Sequence, residues 1–582
     1  MRLNWGTAPV GPFEIFEICL VLLAVAISLI RPRFASAFFS RLESGVKSVA
    51  PRRWACALIL FLFPIVLRLL LLPVYGVPRP VISDEYAYLL QSDTFASGRL
   101  TNPAPPMPEH FASVYILTRP TYTAEYQIGQ ALALAAGQVA TGWPWAGVLL
   151  SMGILCAVVY WALLAWIPSV WAFAGTLVVI DISLGVLSYW TNSYWGGNVP
   201  AIGGALALGG LARIPGKSPL LYSVLAAAGL TILLNSRPLE GVFLIVVAAT
   251  ALAFWTLRAK RLRPVLLFTR VMPALAVSAL VALAFAGFYN SRVTTKPGEF
   301  PYLLYRSRYG LPQGFFWQKP LVVNTAAMPS DIRSEYEDQL RQHARRRSVK
   351  GLAGATGGKL RRFWEFYIGI PLTLALLFLP LIWRGSNMQL ALWALVAVLG
   401  LDNLLFFAYF PHYSAAVTVL IALVLIECIR RMRVSSEAGL FLSRALPAVC
   451  LISLLVPVVG RLLEPLLPAS LGGVKRLWQS EFIHDIEREV FAPRLEQEPG
   501  RQLVLVRYGP YKGQKTYEWI YNRADIANAK IIWARYGEDS TSNRQLVSLF
   551  PGRKLWLAEP DNIPPRVTPF QLPNDNDRGS SK

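Results

Sequence analysis

The residues best suited to chemistry are two adjacent carboxylates, Asp84 and Glu85, in the stretch VISDEYAYLLQSDTFASGRL that follows an apolar run at once. A carboxylate at the boundary of lipid and water, shielded by aromatic rings, gains proton affinity and can act as a general base. It can equally hold a divalent cation against a phosphate. The same residues also fit a plain helix start, with Ser83 as N-cap and acids in the first turn that satisfy free amides and suit the dipole. In a helix begun here, Asp84, Tyr88 and Gln91 share one face, and Glu85, Leu89 and Ser92 another.

The elements that must position this pair are membrane spans. The chain has 582 residues, 54% hydrophobic and only 15% charged, and apolar runs of about 20 residues recur along it, the pattern of a polytopic α-helical membrane protein. A net charge of +22 in a soluble protein would suggest nucleic acid. Here the arginines fall between apolar runs, the positive-inside pattern, and no nucleic-acid partner is expected. There is no P-loop and no GxGxxG after a strand. The five cysteines all lie in apolar runs and the four histidines are scattered, so neither a disulfide framework nor a zinc enzyme is expected.

About twelve spans are expected, near 13–30, 54–75, 145–166, 168–190, 198–213, 218–235, 238–257, 265–289, 363–383, 388–410, 412–430 and 444–466. The first lacks a cleavage site and reads as retained. The loop after it carries Arg31, Arg33, Arg41, Lys47, Arg52 and Arg53 against Glu43, which sets it in the cytoplasm and Asp84 outside. The clusters at 258–263 and 430–433 then also fall inside, and TNSYWGGN, NSRPLEG and FPHYS outside, with both termini outside. This bookkeeping requires that Tyr126–Ala140, short and interrupted by Gly and Gln, lies on the outer surface instead of crossing. The domain plan is a first span with its basic loop (1–53), a membrane core (54–290) whose first outer loop is 77–144, a long outer loop (291–362), later spans (363–470) and a soluble domain (471–582). In the last, Trp478–Glu498 reads as a helix, and RQLVLVRYG, AKIIWARYG and RKLWLAEPD as strands around a helix at 541–549, a small α/β domain. The final nine residues read as disordered.

In chain order, SDEYAYLL after an early span, Arg119-Pro120 with Tyr122, the GQALALAAG segment, TNSYWGGNVP and LLNSRPLEG resemble the membrane-embedded GT-C glycosyltransferases. The resemblance is in particular to the protein O-mannosyltransferase and lipid A aminoarabinose transferase branch, over roughly residues 55–260. The resemblance implies a GT-C-type fold in a cytoplasmic (inner) membrane and transfer of a sugar, with inversion, from a polyprenyl-phosphate donor to an extracytoplasmic acceptor hydroxyl on a glycan, lipid or protein. It gives Asp84 the role of catalytic or metal-binding carboxylate, with Glu85 its neighbour and Mg or Mn as the implied cation. Ser236-Arg237-Pro238 matches the family's Thr-Arg-Pro. Where many members carry Asp two residues before Pro, this chain has Asn198-Val199-Pro200, which hydrogen-bonds but supplies no charge.

The implied leaving phosphate needs cations, for which Arg119 and Arg237 are the first choice and Arg306 and Arg308 the second; each also fits an interfacial anchor. Tyr86, Tyr122, Tyr194 and Trp195 can stack on a sugar, line a prenyl groove, or belong to an aromatic belt. His412 fits a ligand, a proton relay or a cap, and Glu240 can pair with Arg237. Two other classes compete: a transporter or lipid flippase, against which the spans carry few charges (Asp181, Asp402, Glu427) and no inverted repeat, and a non-catalytic assembly factor acting through the C-terminal domain.

Overall fold

The computed structural model describes residues 11–310, 314–326, 328–383, 386–405, 409–464, 487–509, 519–537, 539–562 and 564–572. All twelve expected apolar runs carry helix. Seven helices have the length and composition to cross a bilayer: Pro12–Ile30, Arg53–Leu70, Pro144–Leu163, Pro238–Leu257, Pro264–Thr294, Pro411–Ser435 and Glu437–Leu463. Five of them begin on proline, whose missing N–H costs nothing at a first helical position and whose fixed φ suits it.

Four expected spans, Ser169–Gly185, Asn198–Leu211, Pro219–Leu234 and Met388–Leu404, are shorter apolar helices. The expected span at 363–383 is not one helix. Val349–Tyr367 and Gly369–Ile382 meet at 97°, and the turn passes through Gly369 at φ 64°, a conformation that a residue without Cβ adopts freely. Well before the bend, on the first arm, Lys359 is buried and donates to the carbonyls of Asp402 and Leu405. A buried ammonium finds partners there that a straight apolar span would not offer.

Ile128–Thr141, the segment expected on the membrane surface, has 14 residues, a rise of about 21 Å against a hydrocarbon core of about 30 Å. It packs on the Pro144–Leu163 helix where Gly137 and Gly147 face each other with no room for a side chain on either. Its polar edge bonds to the helix that begins at Ser83: Ser92 donates to Gln138 (3.0 Å) and Gln138 to Asp93 (3.0 Å). Leu132 and Val139 point the other way and are 47% and 70% exposed.

The C-terminal unit holds a four-stranded sheet in the order Ile531–Arg535, Arg501–Val506, Arg553–Glu559, Arg566–Pro569, parallel except for the last pair. The three expected strands and the helix Ser540–Leu549 are present, the helix capped by Asp539 accepting from Thr541 N and Ser542 N. The fourth strand is an addition, four residues long and ending on proline. Of the helix expected at 478–498, Glu487–Gln497 is helical; its beginning at 478–486, Arg384 and the final nine residues lie outside the described residues.

This unit is not an appendage. Leu503, Leu505, Ile532, Ala534 and Leu546 share one hydrophobic core with Ala87, Leu90, Phe111, Ile116 and Tyr122. The helix Ser83–Ala96 therefore has the sheet domain packed behind it. Replacing Leu90, which has no exposed surface, by Ala is expected to cost about 2–5 kcal/mol. A lower melting midpoint of the detergent-solubilised protein, with earlier proteolytic release of the C-terminal domain, is the measurement; an unchanged midpoint would refute the shared core.

Candidate active site

The site starts where the chain leaves the Arg53–Leu70 helix and enters the helix Ser83–Ala96, whose N-cap is Ile82, one residue before the expected Ser83. Glu85 organises the start. Its Oε2 accepts from the amides of Val81 (2.7 Å) and Ile82 (3.3 Å), and its Oε1 from the amide of Tyr194 (2.9 Å). Both carboxylate oxygens are thus committed to backbone, in a side chain with no exposed surface. Burial pushes its proton affinity up, to about 7, while the three amides pull it down. Glu85 fixes the TNSYWGGN loop to the helix start. Tyr194 completes that joint, its hydroxyl donating to the Pro78 carbonyl (2.9 Å).

One residue earlier, Asp84 is half-buried and free on one side. Its Oδ1 accepts from the Tyr126 hydroxyl at 2.6 Å. The Tyr126 ring stacks on Tyr88 at 4.6 Å and 17°, and Tyr115 closes the far side at 5.6 Å. Burial raises the Asp84 carboxyl to about 6; the Tyr126 hydrogen bond opposes this and the Glu335 charge adds to it. This is the environment in which a carboxylate becomes a general base near neutral pH.

Two arginines from distant segments reach the same place and are used differently. Arg306, 6% exposed, donates from Nε to Glu125 Oε2 (3.0 Å) and from its second arm to Oε1, a bidentate pair walled by Tyr115 and Tyr302, each 5.1 Å from the guanidinium. Burial works against its charge, and Glu125 together with Tyr302 and Tyr115 outweighs it, holding the guanidinium well above its ordinary value. Arg306 is therefore not open to a ligand phosphate. Arg237 lies 4.5 Å over the Tyr413 ring. Tyr88 feels both groups: burial raises its hydroxyl, the Arg237 charge lowers it and the Asp84 charge raises it. Asp84, Tyr88, Tyr126, Tyr413 and Arg237 thus form one cluster.

The other expected site residues lie elsewhere. Tyr86 points to the C-terminal domain, bonding Glu489 (2.9 Å) beneath the Arg488 guanidinium. Tyr122 is buried in the shared core, its hydroxyl 3.5 Å from the Asn522 carbonyl. Asn198 donates to the Trp190 carbonyl (2.9 Å) and holds the glycine-bearing loop against the Pro144–Leu163 helix. His412 is buried, its Nδ1 2.9 Å from the Tyr189 hydroxyl and its ring against Trp195 and Phe410. Arg119 is exposed beside Arg308, which donates to its carbonyl (2.8 Å). Tyr126, Glu125, Tyr413 and Glu335 are the neighbours that sequence reasoning missed. The first two stand in AEYQIG immediately before a helix, and only folding shows that Tyr126 meets Asp84, 42 positions away, and Glu125 meets Arg306, 181 positions away.

A divalent cation needs several converging oxygen ligands. Glu85 is spent on amides, Glu125 on Arg306 and Asn198 on a carbonyl, and no group of three His, Cys, Asp or Glu converges among the described residues. No step below uses a divalent cation.

No family model matches the chain, and no curated protein sequence matches it. Among solved structures it is similar to ArnT from Cupriavidus metallidurans in the apo state, with 12% sequence identity and a TM-score of 0.48 over 85% of this chain and 92% of that one. The same protein bound to undecaprenyl phosphate is similar at 12% identity and a TM-score of 0.45, over 87% and 92% of the two chains.

The neighbouring carboxylates separate cleanly by substitution. Glu85→Gln turns an acceptor towards the Tyr194 amide into a donor, and a buried unmet pair of donors costs about 1–3 kcal/mol. Asp84→Asn keeps the Tyr126 contact and should leave stability within about 0.5 kcal/mol. Thermal unfolding of both variants in detergent checks this; equal melting points would remove the distinction.

Proposed function

We propose that the chain is a membrane glycosyltransferase that moves a sugar from a polyprenyl-phosphate donor to an acceptor hydroxyl, with inversion, on the extracytoplasmic side of the cytoplasmic membrane. The observation that carries this reading is Asp84: a carboxylate with raised proton affinity at a helix start, one oxygen bonded to Tyr126, in an aromatic cluster that also holds Arg237. The motif order from SDEYAYLL to LLNSRPLEG supports the sugar-transfer class, and the basic loops support the side.

In this reading the acceptor hydroxyl gives its proton to Asp84 Oδ2 as its oxygen bonds to the anomeric carbon. The bond from that carbon to the phosphate oxygen breaks on the opposite face, and its electron pair leaves with the phosphate. Arg237, stacked on Tyr413, faces the charge that develops there. Tyr88, Tyr115 and Tyr126 give flat walls for the sugar, and Glu85 acts only by fixing the backbone from which Asp84 projects.

The first test is transfer from radiolabelled polyprenyl-phosphate sugars in membranes holding wild type or Asp84→Asn at equal abundance. Wild type transfers label and the variant does not. Equal transfer would remove Asp84 as the base, and no transfer from a broad donor panel would favour the carrier reading. Asp84 must be ionised to accept a proton, so the rate falls about tenfold per pH unit below about 6. Tyr126→Phe removes a hydrogen bond to the charged form; the Asp84 affinity then rises and the acid limb moves to higher pH. A limb that stays put, or moves down, contradicts the assignment. Arg237→Gln should lower kcat by about 10²–10³-fold, while an unchanged kcat would take Arg237 out of the leaving-group site.

A further inference from the structure

The turn of the hairpin Ile116–Leu117/Thr121–Ala124 opens into a cleft of about 560 Å³ lined by Pro105, Pro106, Met107, Pro108, Arg119 and Arg308, with Ala104 and Pro120 at its edges. Its wall is unusual in two ways. The PAPPMP run gives a wall whose prolines have fixed φ and lack amide donors, so its polar chemistry comes from the arginines. Neither Arg119 nor Arg308 has a carboxylate partner among the described residues, and Arg308 is anchored by one bond to the Arg119 carbonyl (2.8 Å). Two exposed guanidiniums beside one open, proline-walled depression suit an anion with several oxygens, a phosphate or a carboxylate.

The cleft is joined to Asp84 by two elements. The helix Pro301–Tyr309 carries Arg306 into the aromatic site and, two residues on, Arg308 into the cleft, as a rotation of about 200° requires. The hairpin strand runs from Pro120 at the cleft to Tyr126 at Asp84, a path of six residues or up to about 20 Å in extended chain. Between them stands the Glu125–Arg306 pair. The arginines at the cleft therefore do not touch a leaving group that sits with Arg237.

We propose that this cleft is an anion-binding subsite for the acceptor, which holds a phosphate or carboxylate substituent carried up to about 20 Å from the hydroxyl that receives the sugar. This rests on the transferase reading for the word acceptor, but the anion site itself does not.

Two measurements on the full-length protein in detergent test it. Titration calorimetry with inorganic pyrophosphate is expected to show saturable binding to wild type, at least tenfold weaker binding to the double variant Arg119→Gln/Arg308→Gln, and no change for Arg566→Gln, an exposed arginine elsewhere. Equal binding by the double variant, or none by wild type, overturns the subsite. In the transfer assay the double variant should raise the acceptor KM about tenfold and leave kcat and the donor KM unchanged. A fall in kcat at unchanged acceptor KM would return these arginines to the chemical step and overturn the proposal. If wild type binds pyrophosphate but transfers no sugar, the anion site stands and the transferase reading fails.

Discussion

The structure depends on one buried carboxylate whose two oxygens are taken up by backbone amides. Glu85 gathers the amides of Val81, Ile82 and Tyr194, and these belong to two segments more than a hundred residues apart. A carboxylate out of water is tolerated only when its oxygens find donors, and three amides reach both oxygens of Glu85. In return the helix start is fixed to the loop that feeds Asn198–Leu211, and Asp84 inherits a backbone that cannot drift. Substituting here would cost more than one hydrogen bond, because the remaining amides would stay buried without an acceptor.

The rest of the fold supplies pressure on that joint from every side. The short helix Ile128–Thr141 bonds through Gln138 to Ser92 and Asp93, and through Gln130 to the Tyr194 carbonyl (2.9 Å). From behind, the C-terminal domain buries Ala87 and Leu90 in its own core and fastens the loop ahead of the hairpin with His110, whose two nitrogens contact the Arg535 carbonyl (2.6 Å) and the Ser542 hydroxyl (2.7 Å). Asp93 reaches the domain too, accepting from the Ala524 amide at 2.9 Å. A helix of 14 residues with polar groups on several faces is not stable by propensity; it is held in one geometry because each face has a different partner.

Much of this scaffold could be read from composition. Apolar runs of spanning length are a strong signal because lipid leaves backbone no alternative to helix, and the seven long helices fall on them. The bend at Gly369 was invisible, since one glycine in an apolar run has no sign of its own and the polar partners of Lys359 come from residues 402 and 405. Asp84 was legible because an acid pair next to a span is rare. The split between the two acids was not, because it rests on which way successive side chains point, and Glu85 finds its third amide only through tertiary folding. The arginines misled for a related reason. Arg306 and Arg308 share one motif, yet a helix turns one inward to Glu125 and the other outward, so spacing alone does not separate their surroundings.

That division bears on how charge is handled near Asp84. An ion pair buried in a ring of tyrosines gains from low dielectric only when both forks are satisfied, and the bidentate Glu125–Arg306 contact meets that condition. Once closed, the pair has no net charge to offer a phosphate. Arg237 lies over the Tyr413 ring; burial lowers its guanidinium, and the Glu240 charge that it faces raises it. A guanidinium held by a ring face keeps its N–H donors free along its edge. In the proposed transfer, this arginine is the group that takes up the charge.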